Sequence, residues 1–380
     1  ARSIKARGKT KRLGAMTIDA PRGSSRRLVV VGPSVRALAR LRGRFIGSCV
    51  ARGVDVLALA PEASASGSES LLRLGAQAGT IPQGPEGFTL FRARKAARAF
   101  AEQVRQFHPN AVLAFGAQVA PAAVAAARRA GVEHVALLVN EMPANGPAKR
   151  LMRALKGVNV VIVHNAADAQ AVKNDLGVPR VVRVQGAGAD LALAMGVPMP
   201  AAGEPVVFLA AARLDRVKGI HDYLEAARIA QERGLDARFL LAGPDGLETG
   251  SVKTDTLARY APFVTYMGDA ANLADVVGQC HVFVCPSHRE GMPGAVLSAM
   301  AAGRVIIATD IPGARDTVDE MVNGTLCPSG DPAALADAFA RLVRNRALLA
   351  PMSRASRAKA ERSYSDTDVH EALLDALHLA

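Results

Sequence analysis

The chain has no tryptophan and only four tyrosines in 380 residues, and aromatic side chains make up 4% of it. That is too few for the stacking platforms on which single-stranded nucleic-acid recognition depends. Cysteine is equally sparse. The four thiols, Cys49, Cys280, Cys285 and Cys327, show neither C-x-x-C spacing nor a neighbouring histidine cluster, so buried, reduced thiols are expected and a structural zinc is not. No apolar run approaches the roughly eighteen residues needed to span a bilayer. Acidic residues are outnumbered, 34 against 47 basic, for a net charge of +13. Such an excess is read as a nucleic-acid partner, an anionic membrane surface or a solvated face. With no RNA-binding aromatic signature, zinc-finger spacing or basic zipper, no nucleic acid is expected. A membrane surface and phosphate-bearing substrates fit better, with Arg92, Arg94, Lys95 and Arg98 crowded on one predicted helix.

What is present is globular. Half the residues are apolar and 21% are charged, and the length suffices for two cores. Residues 1–27 are basic without an apolar stretch, which is not a secretory signal, and they are expected to form a tail. Strand-like runs at 28–31, 55–59, 111–115, 134–139, 158–163 and 181–184 alternate with helical stretches at 35–51, 91–107, 121–129 and 166–175. A Pro-, Ala- and Gly-rich break follows at 196–205. Strands then resume at 206–210, 237–242, 263–266, 281–285 and 305–309, with helices at 220–233, 293–302 and 332–344. Strands alternating with helices imply parallel, doubly wound α/β sheets. Two such halves are expected, 28–198 and 204–362, with a cleft between them and a final helix, 366–380, returning to the first half. The Ser-, Ala- and Gly-rich stretch 62–70 is expected to be a loop at that cleft.

Several stretches carry chemistry. Between the strand ending at Cys285 and the helix beginning near Pro293 lies a polar loop with Glu290, Gly291 and Met292. Main-chain N–H groups at such a helix start favour anions, and Glu290 can accept hydrogen bonds from sugar hydroxyls. Arg213 and Lys218 follow the first strand of the second half, where a forked guanidinium and a point-charge ammonium suit a diphosphate. Gly186, Gly188 and Asp190 end the last strand of the first half, and small residues there permit close phosphate approach. Taken singly, each is also an ordinary loop residue. His164 and His288 are the histidines that can reach the cleft, though a locally satisfied histidine is as common a reading. Gly8, Lys9 and Thr10 end like a phosphate-binding loop but lack its leading glycine and strand. Asp366 and Asp368 open the last helix, where acidic residues suit the positive dipole end, and Asn323 begins a glycosylation sequon that a cytosolic protein does not use.

Together these residues make the chain resemble glycosyltransferase family 4, the retaining GT-B enzymes, over most of its length. The resemblance implies two Rossmann-like domains facing a central cleft. It implies that Arg213 and Lys218 hold the donor diphosphate, and that Glu290 matches the first Glu of the family's Glu-seven-residues-Glu motif, on the donor sugar. Gly291, Met292 and Pro293 match the loop that touches sugar and phosphate, and Asn165 lies in a matching segment before the linker. Residues 41–46 and 51–62 look like the subgroup extending polyprenyl-diphosphate-linked oligosaccharides, which would put Gly43 in a glycine-bearing loop near the donor phosphates. Pro244, Tyr266 and Met267 are expected near the base, and a UDP-sugar is favoured as donor. The chain departs from the pattern at Ser298, where the second Glu, which receives the ribose, would stand. No family-type histidine follows the strand 111–115, where Gly116 and Gln118 stand instead. The expectation is a metal- and cofactor-independent hexosyl or N-acetylhexosaminyl transferase, cytoplasmic and peripheral to the membrane, acting on a lipid-linked glycan. A nucleotide-sugar-binding relative without transfer activity and a GT-B epimerase are the alternatives.

Overall fold

The computed structural model describes residues 26–81, 90–140, 157–176, 178, 180–200, 205–246, 250–270 and 272–380. All but the last two residues of the expected tail lie outside them. In the first half come β1 (Arg26–Val31), α1 (Val35–Ala51), β2 (Val54–Ala60), α2 (Ala65–Arg73), β3 (Gln77–Thr80), α3 (Leu90–Phe107) and β4 (Ala111–Phe115). They continue as α4 (Ala120–Ala130), β5 (His134–Leu138), β6 (Val160–Val163), α5 (Ala166–Leu176), β7 (Val181–Arg183) and α6 (Leu191–Met195). The strands form one parallel sheet in the order β3-β2-β1-β4-β5-β6-β7.

The second half begins with β8 (Val206–Ala211), α7 (Ile220–Glu232), β9 (Ala237–Ala242), α8 (Thr254–Tyr260), β10 (Thr265–Tyr266), α9 (Leu273–Val277) and β11 (Val282–Cys285). It ends with α10 (Gly294–Ala301), β12 (Val305–Thr309), α11 (Pro312–Arg315), β13 (Gly324–Cys327), α12 (Pro332–Arg344), α13 (Leu349–Ser363) and α14 (Asp366–Ala376). Its sheet, also parallel, is ordered β10-β9-β8-β11-β12-β13. Strand order reverses between β1 and β4 and again between β8 and β11, and such switch points open ligand crevices at the strands' carboxyl ends.

Each sheet is covered on both faces, which explains why the strands read as unbroken apolar runs. In β1, Leu28 and Val30 enter one core layer while Val29 and Val31 enter the other. Val369, Leu373, Leu374 and Leu377, on α14 and just after it, lie in the first sheet's core although they are the last part of the chain. The return is tied to the outgoing linker: Ala189 N–H donates to Tyr364 O (2.7 Å) and Asp366 N–H to Ala189 O (3.2 Å). Gly188 sits here at φ +74°, where a Cβ would come within 2.2 Å of Asp366 Cα. Its smallness serves the crossing of two chain segments.

The stretch 62–70 is not an open loop. Ser64 caps α2 by accepting from Gly67 N–H (3.1 Å), Leu71 is buried beneath it, and a Cβ on Gly67 would meet the backbone of α1 at 2.8 Å. The small residues that resemble a loop are there to let two helices touch. No described helix is long and apolar enough to cross a membrane, and all four cysteines are buried and unpaired with one another.

Candidate active site

Two loops at the carboxyl edge of the second sheet interlock. After β8 the chain runs through Arg213 to a short turn, Arg216–Lys218, that ends at Gly219 in the left-handed conformation, φ +65°. A Cβ there would fall 1.8 Å from Pro286 O, so only glycine lets this turn lie against the loop after β11. His288 N–H donates to Val217 O (2.9 Å) and closes the seam. Lys218 Nζ consequently reaches Glu290 Oε1 at 2.6 Å, with Ser287 Oγ donating to the same oxygen at 2.9 Å. Oε2 keeps no hydrogen-bond partner among the described residues. His288 Nε2 lies 2.7 Å from Asp222 Oδ2 in the first turn of α7, which anchors the loop from below. Arg213 is held 2.5 Å from the fully buried Asp215, which also accepts from Ser251 Oγ at 3.3 Å.

Past Glu290 the chain enters α10 with Pro293 as its N-cap residue. A Cβ on Gly294 would meet nothing within 4 Å, so a ligand can reach the main chain at the positive end of this helix. Pro244 and Tyr266 sit at the ends of β9 and β10 on the same sheet edge. Pro244 O accepts from Leu214 N–H at 3.0 Å, and the Tyr266 hydroxyl donates to Gly243 O at 2.7 Å. Met267 instead turns partly into the second domain's core.

The first domain meets this edge directly. Asn165, at the end of β6 and 1% exposed, donates from Nδ2 to Gly291 O at 3.0 Å. Gly186, at the end of β7, lies against Met292: a Cβ there would be 2.8 Å from Met292 Cγ. The carboxyl ends of the two sheets therefore oppose each other across one cleft. The solved structures share this arrangement. Anabaena HepE in complex with UDP-glucose superposes over 93% of this chain and 100% of its own, with a TM-score of 0.76 at 16% identity. A glycosyltransferase from Rickettsia africae gives 93%, 98%, 0.76 and 14%. The chain has the GT-B fold. Within that fold, residues 205–345 match the family model of glycosyl transferases group 1. The capsular polysaccharide biosynthesis glycosyltransferase CapM of Staphylococcus aureus is 26% identical over 162 residues, 42% of this chain and 43% of its own. The N,N'-diacetylbacillosaminyl-diphospho-undecaprenol alpha-1,3-N-acetylgalactosaminyltransferase of Campylobacter jejuni is 26% identical over 145 residues, 38% and 37%. These matches span less than half of each relative's length.

In the GT-B cleft a second opening lies beside the Glu290–Pro293 loop. It is a crevice of about 270 Å³ lined by His164, Arg183, Gln185, Met292, Asp316, Lys359, Ser363 and Tyr364. His164 is 3% exposed and its Nδ1 lies 3.2 Å from Val184 O. Burial, with the charge of Arg42 nearby, pushes its pKa down to about 3, so it stays neutral.

Two of the expected site residues have settings other than those the resemblance implies. Gly43 is not in a loop: it lies in the middle of α1, buried, with Leu74 Cδ1 3.5 Å from where its Cβ would be. The glycine at the β1–α1 turn is Gly32. Ser298 turns its hydroxyl back along α10 to Gly294 O at 3.1 Å, a bond within its own helix. Conversely, the sequence alone does not single out Asp215, Ser287 and Asp222. A signal for the first existed, since Asp215 stands between Arg213 and Lys218. Ser287 and Asp222 gain their roles only from contacts across the fold.

Proposed function

We propose that the protein is a retaining glycosyltransferase of the family 4 type, moving a hexose or N-acetylhexosamine from a UDP-sugar to a lipid-linked glycan in bacterial surface polysaccharide assembly. The observation that carries this is the Lys218–Glu290–Ser287 cluster at the mouth of the cleft: one carboxylate oxygen is fixed and the other is left for a ligand. Arg213 and Lys218, each held by a carboxylate, turn their remaining N–H donors to the donor diphosphate, while Glu290 Oε2 accepts from a sugar hydroxyl. The main chain at Gly294 faces the β-phosphate. In the reaction the anomeric carbon's bond to the β-phosphate oxygen breaks and its bond to the acceptor oxygen forms. The acceptor proton passes to the departing phosphate. Fixed cations aimed at that developing charge are the largest catalytic contribution available here, and they require no metal or cofactor. HepE has been crystallised with UDP-glucose, which favours uridine as the base, and the Campylobacter relative is described by its undecaprenol-linked substrate. Cytoplasmic placement at an anionic membrane face follows from that acceptor and from the basic surface.

The test is calorimetry with UDP, GDP and their sugar conjugates, followed by transfer assays. Wild type should bind one base at micromolar affinity, and Arg213→Ala should weaken it by about 10- to 100-fold, the loss of one charge-assisted contact. Lys218→Ala and Glu290→Ala should lower transfer by roughly 100-fold or more, the loss typical of a single transition-state donor. Near wild-type turnover in either variant would sink the assignment. Ser298 favours a second reading, a sugar-nucleotide-binding protein without transferase activity, because its hydroxyl is spent on Gly294. Tight donor binding with no turnover on any lipid-linked acceptor selects that reading.

A further inference from the structure

Arg42 and Arg44 lie two residues apart on α1 and have opposite circumstances. Arg44 is outside, its side chain 59% exposed, yet it pairs with both Asp190 and Asp366. Arg42 is inside, 9% exposed, and no carboxylate among the described residues lies within ion-pairing distance of it. It donates from Nη2 to the neutral amide of Asn140 (2.9 Å) and lies 4.7 Å over the ring of Phe115. One of its five N–H donors is thus used, and none of its nitrogens is sealed away without a partner. Burial lowers its pKa to about 10, which leaves it charged at neutral pH.

A charge withdrawn from water without a counter-ion is costly to keep, and cavities that hold one are candidate ligand sites. The position agrees. Phe115 ends β4 and Asn140 follows β5, so the guanidinium sits at the carboxyl edge of the first sheet, beside the β1/β4 switch point. Asn140 itself is exposed, so the place opens to solvent at this edge. Gln118 adds a second neutral amide at this edge, its Oε1 2.9 Å from where a Cβ on Gly116 would be. The two histidines that feel its charge, His164 and His370, both have pKa values pushed down by burial and stay neutral. The site offers one positive fork and amide donors, and no competing anion among the described residues.

We propose that Arg42 anchors an oxyanion of the acceptor, a phosphate or a carboxylate, by a forked pair of hydrogen bonds on the first-domain side of the cleft. This rests on the transferase reading, in which the donor occupies the second domain. The anchored group fixes the acceptor while the hydroxyl it carries faces the donor sugar. A phosphate there would belong to the lipid-linked carrier and a carboxylate to an acidic sugar.

The full chain is titrated calorimetrically with inorganic pyrophosphate and with glucuronate, each with and without saturating UDP, for wild type, Arg42→Gln and Arg42→Lys. The wild type loaded with UDP should bind one of the two anions. Arg42→Gln should weaken it at least tenfold and Arg42→Lys by less, because the charge survives without the fork, and UDP affinity should hold in both. A pyrophosphate response names the phosphate source and a glucuronate response the acidic sugar. Equal anion affinity in all three chains overturns the proposal, as does binding of neither anion to wild type. A parallel loss of UDP affinity also overturns it, by moving Arg42 into the donor site. A lowered melting temperature with unchanged anion binding would mark Arg42 as structural only. Should Arg42→Gln not fold, Arg42→Lys carries the same comparison. If wild type binds no UDP the transferase reading falls, and the comparison of wild type with Arg42→Gln without UDP still tests Arg42.

Discussion

Lys218 and Glu290 are separated by 72 residues of chain and by 2.6 Å in space. Their types, each at a strand's carboxyl end, were legible from the order of residues. Their pairing was not, because it depends on the seam between two loops. Ser298 shows the converse: the missing acidic residue is plain in the sequence, while only the structure shows its hydroxyl committed to Gly294. Two other residues carry a prediction at this scale. His164 and His370 are buried, and desolvation lowers their pKa values to about 3 and about 4. The unfolded chain takes up a proton on each near pH 6.5, so the folded state resists protonation where the unfolded one accepts it. Stability is therefore complete above about pH 6.5 and falls on acidification, by roughly 1.4 kcal/mol per histidine for each pH unit, until the folded histidines protonate themselves. Melting temperatures between pH 7.5 and 5 should drop accordingly. His370→Asn should flatten that limb, and an unchanged slope would mean that His370 is already solvated.

Among the elements, the legible ones were those whose strands are buried on both faces, such as β1, β4 and β12, since burial leaves a continuous apolar run. β3 and β13, at the sheet edges, read Gln-Ala-Gly-Thr and Gly-Thr-Leu-Cys, too polar and too short to announce a strand, and α2 passed for a loop because its small residues serve close helix contact. The loops are governed by backbone geometry. Replacing Gly219 with Ala puts a Cβ into Pro286 O and into a left-handed φ, which alone costs about 1–2 kcal/mol. It should separate the Lys218 turn from the Glu290 loop. We expect a lowered melting temperature together with at least tenfold weaker UDP binding. Gly234→Ala is the control: it shares the left-handed φ, +75°, but its Cβ would meet nothing within 4 Å. It should lower stability by the strain alone and leave UDP binding intact. Equal effects of the two on UDP would refute a special role for the seam.

For the whole molecule, the excess of cations gains a location. Arg94, Lys95 and Arg98 stand exposed on α3, while Phe100, Val104 and Phe107 of the same helix enter the core. Each cation near an anionic surface contributes about 1 kcal/mol, so the triple alanine variant should bind phosphatidylserine vesicles roughly a hundredfold more weakly than wild type at low salt. Raising the ionic strength should erase the difference. Equal binding by both chains would make this face merely solvated. Some of the molecule was determined by the sequence alone: two parallel α/β halves, and Arg213, Lys218 and Glu290 at strand ends. These follow from local periodicity and from residue type, which neighbours along the chain suffice to set. The tertiary structure decided the rest. It gave Gly188 to the chain crossing and bound Asn165 to Gly291 across the cleft. It also left Arg42 buried without a carboxylate among the described residues. Each of these depends on which distant segments pack together, and a contact between distant segments leaves no periodic mark on either one.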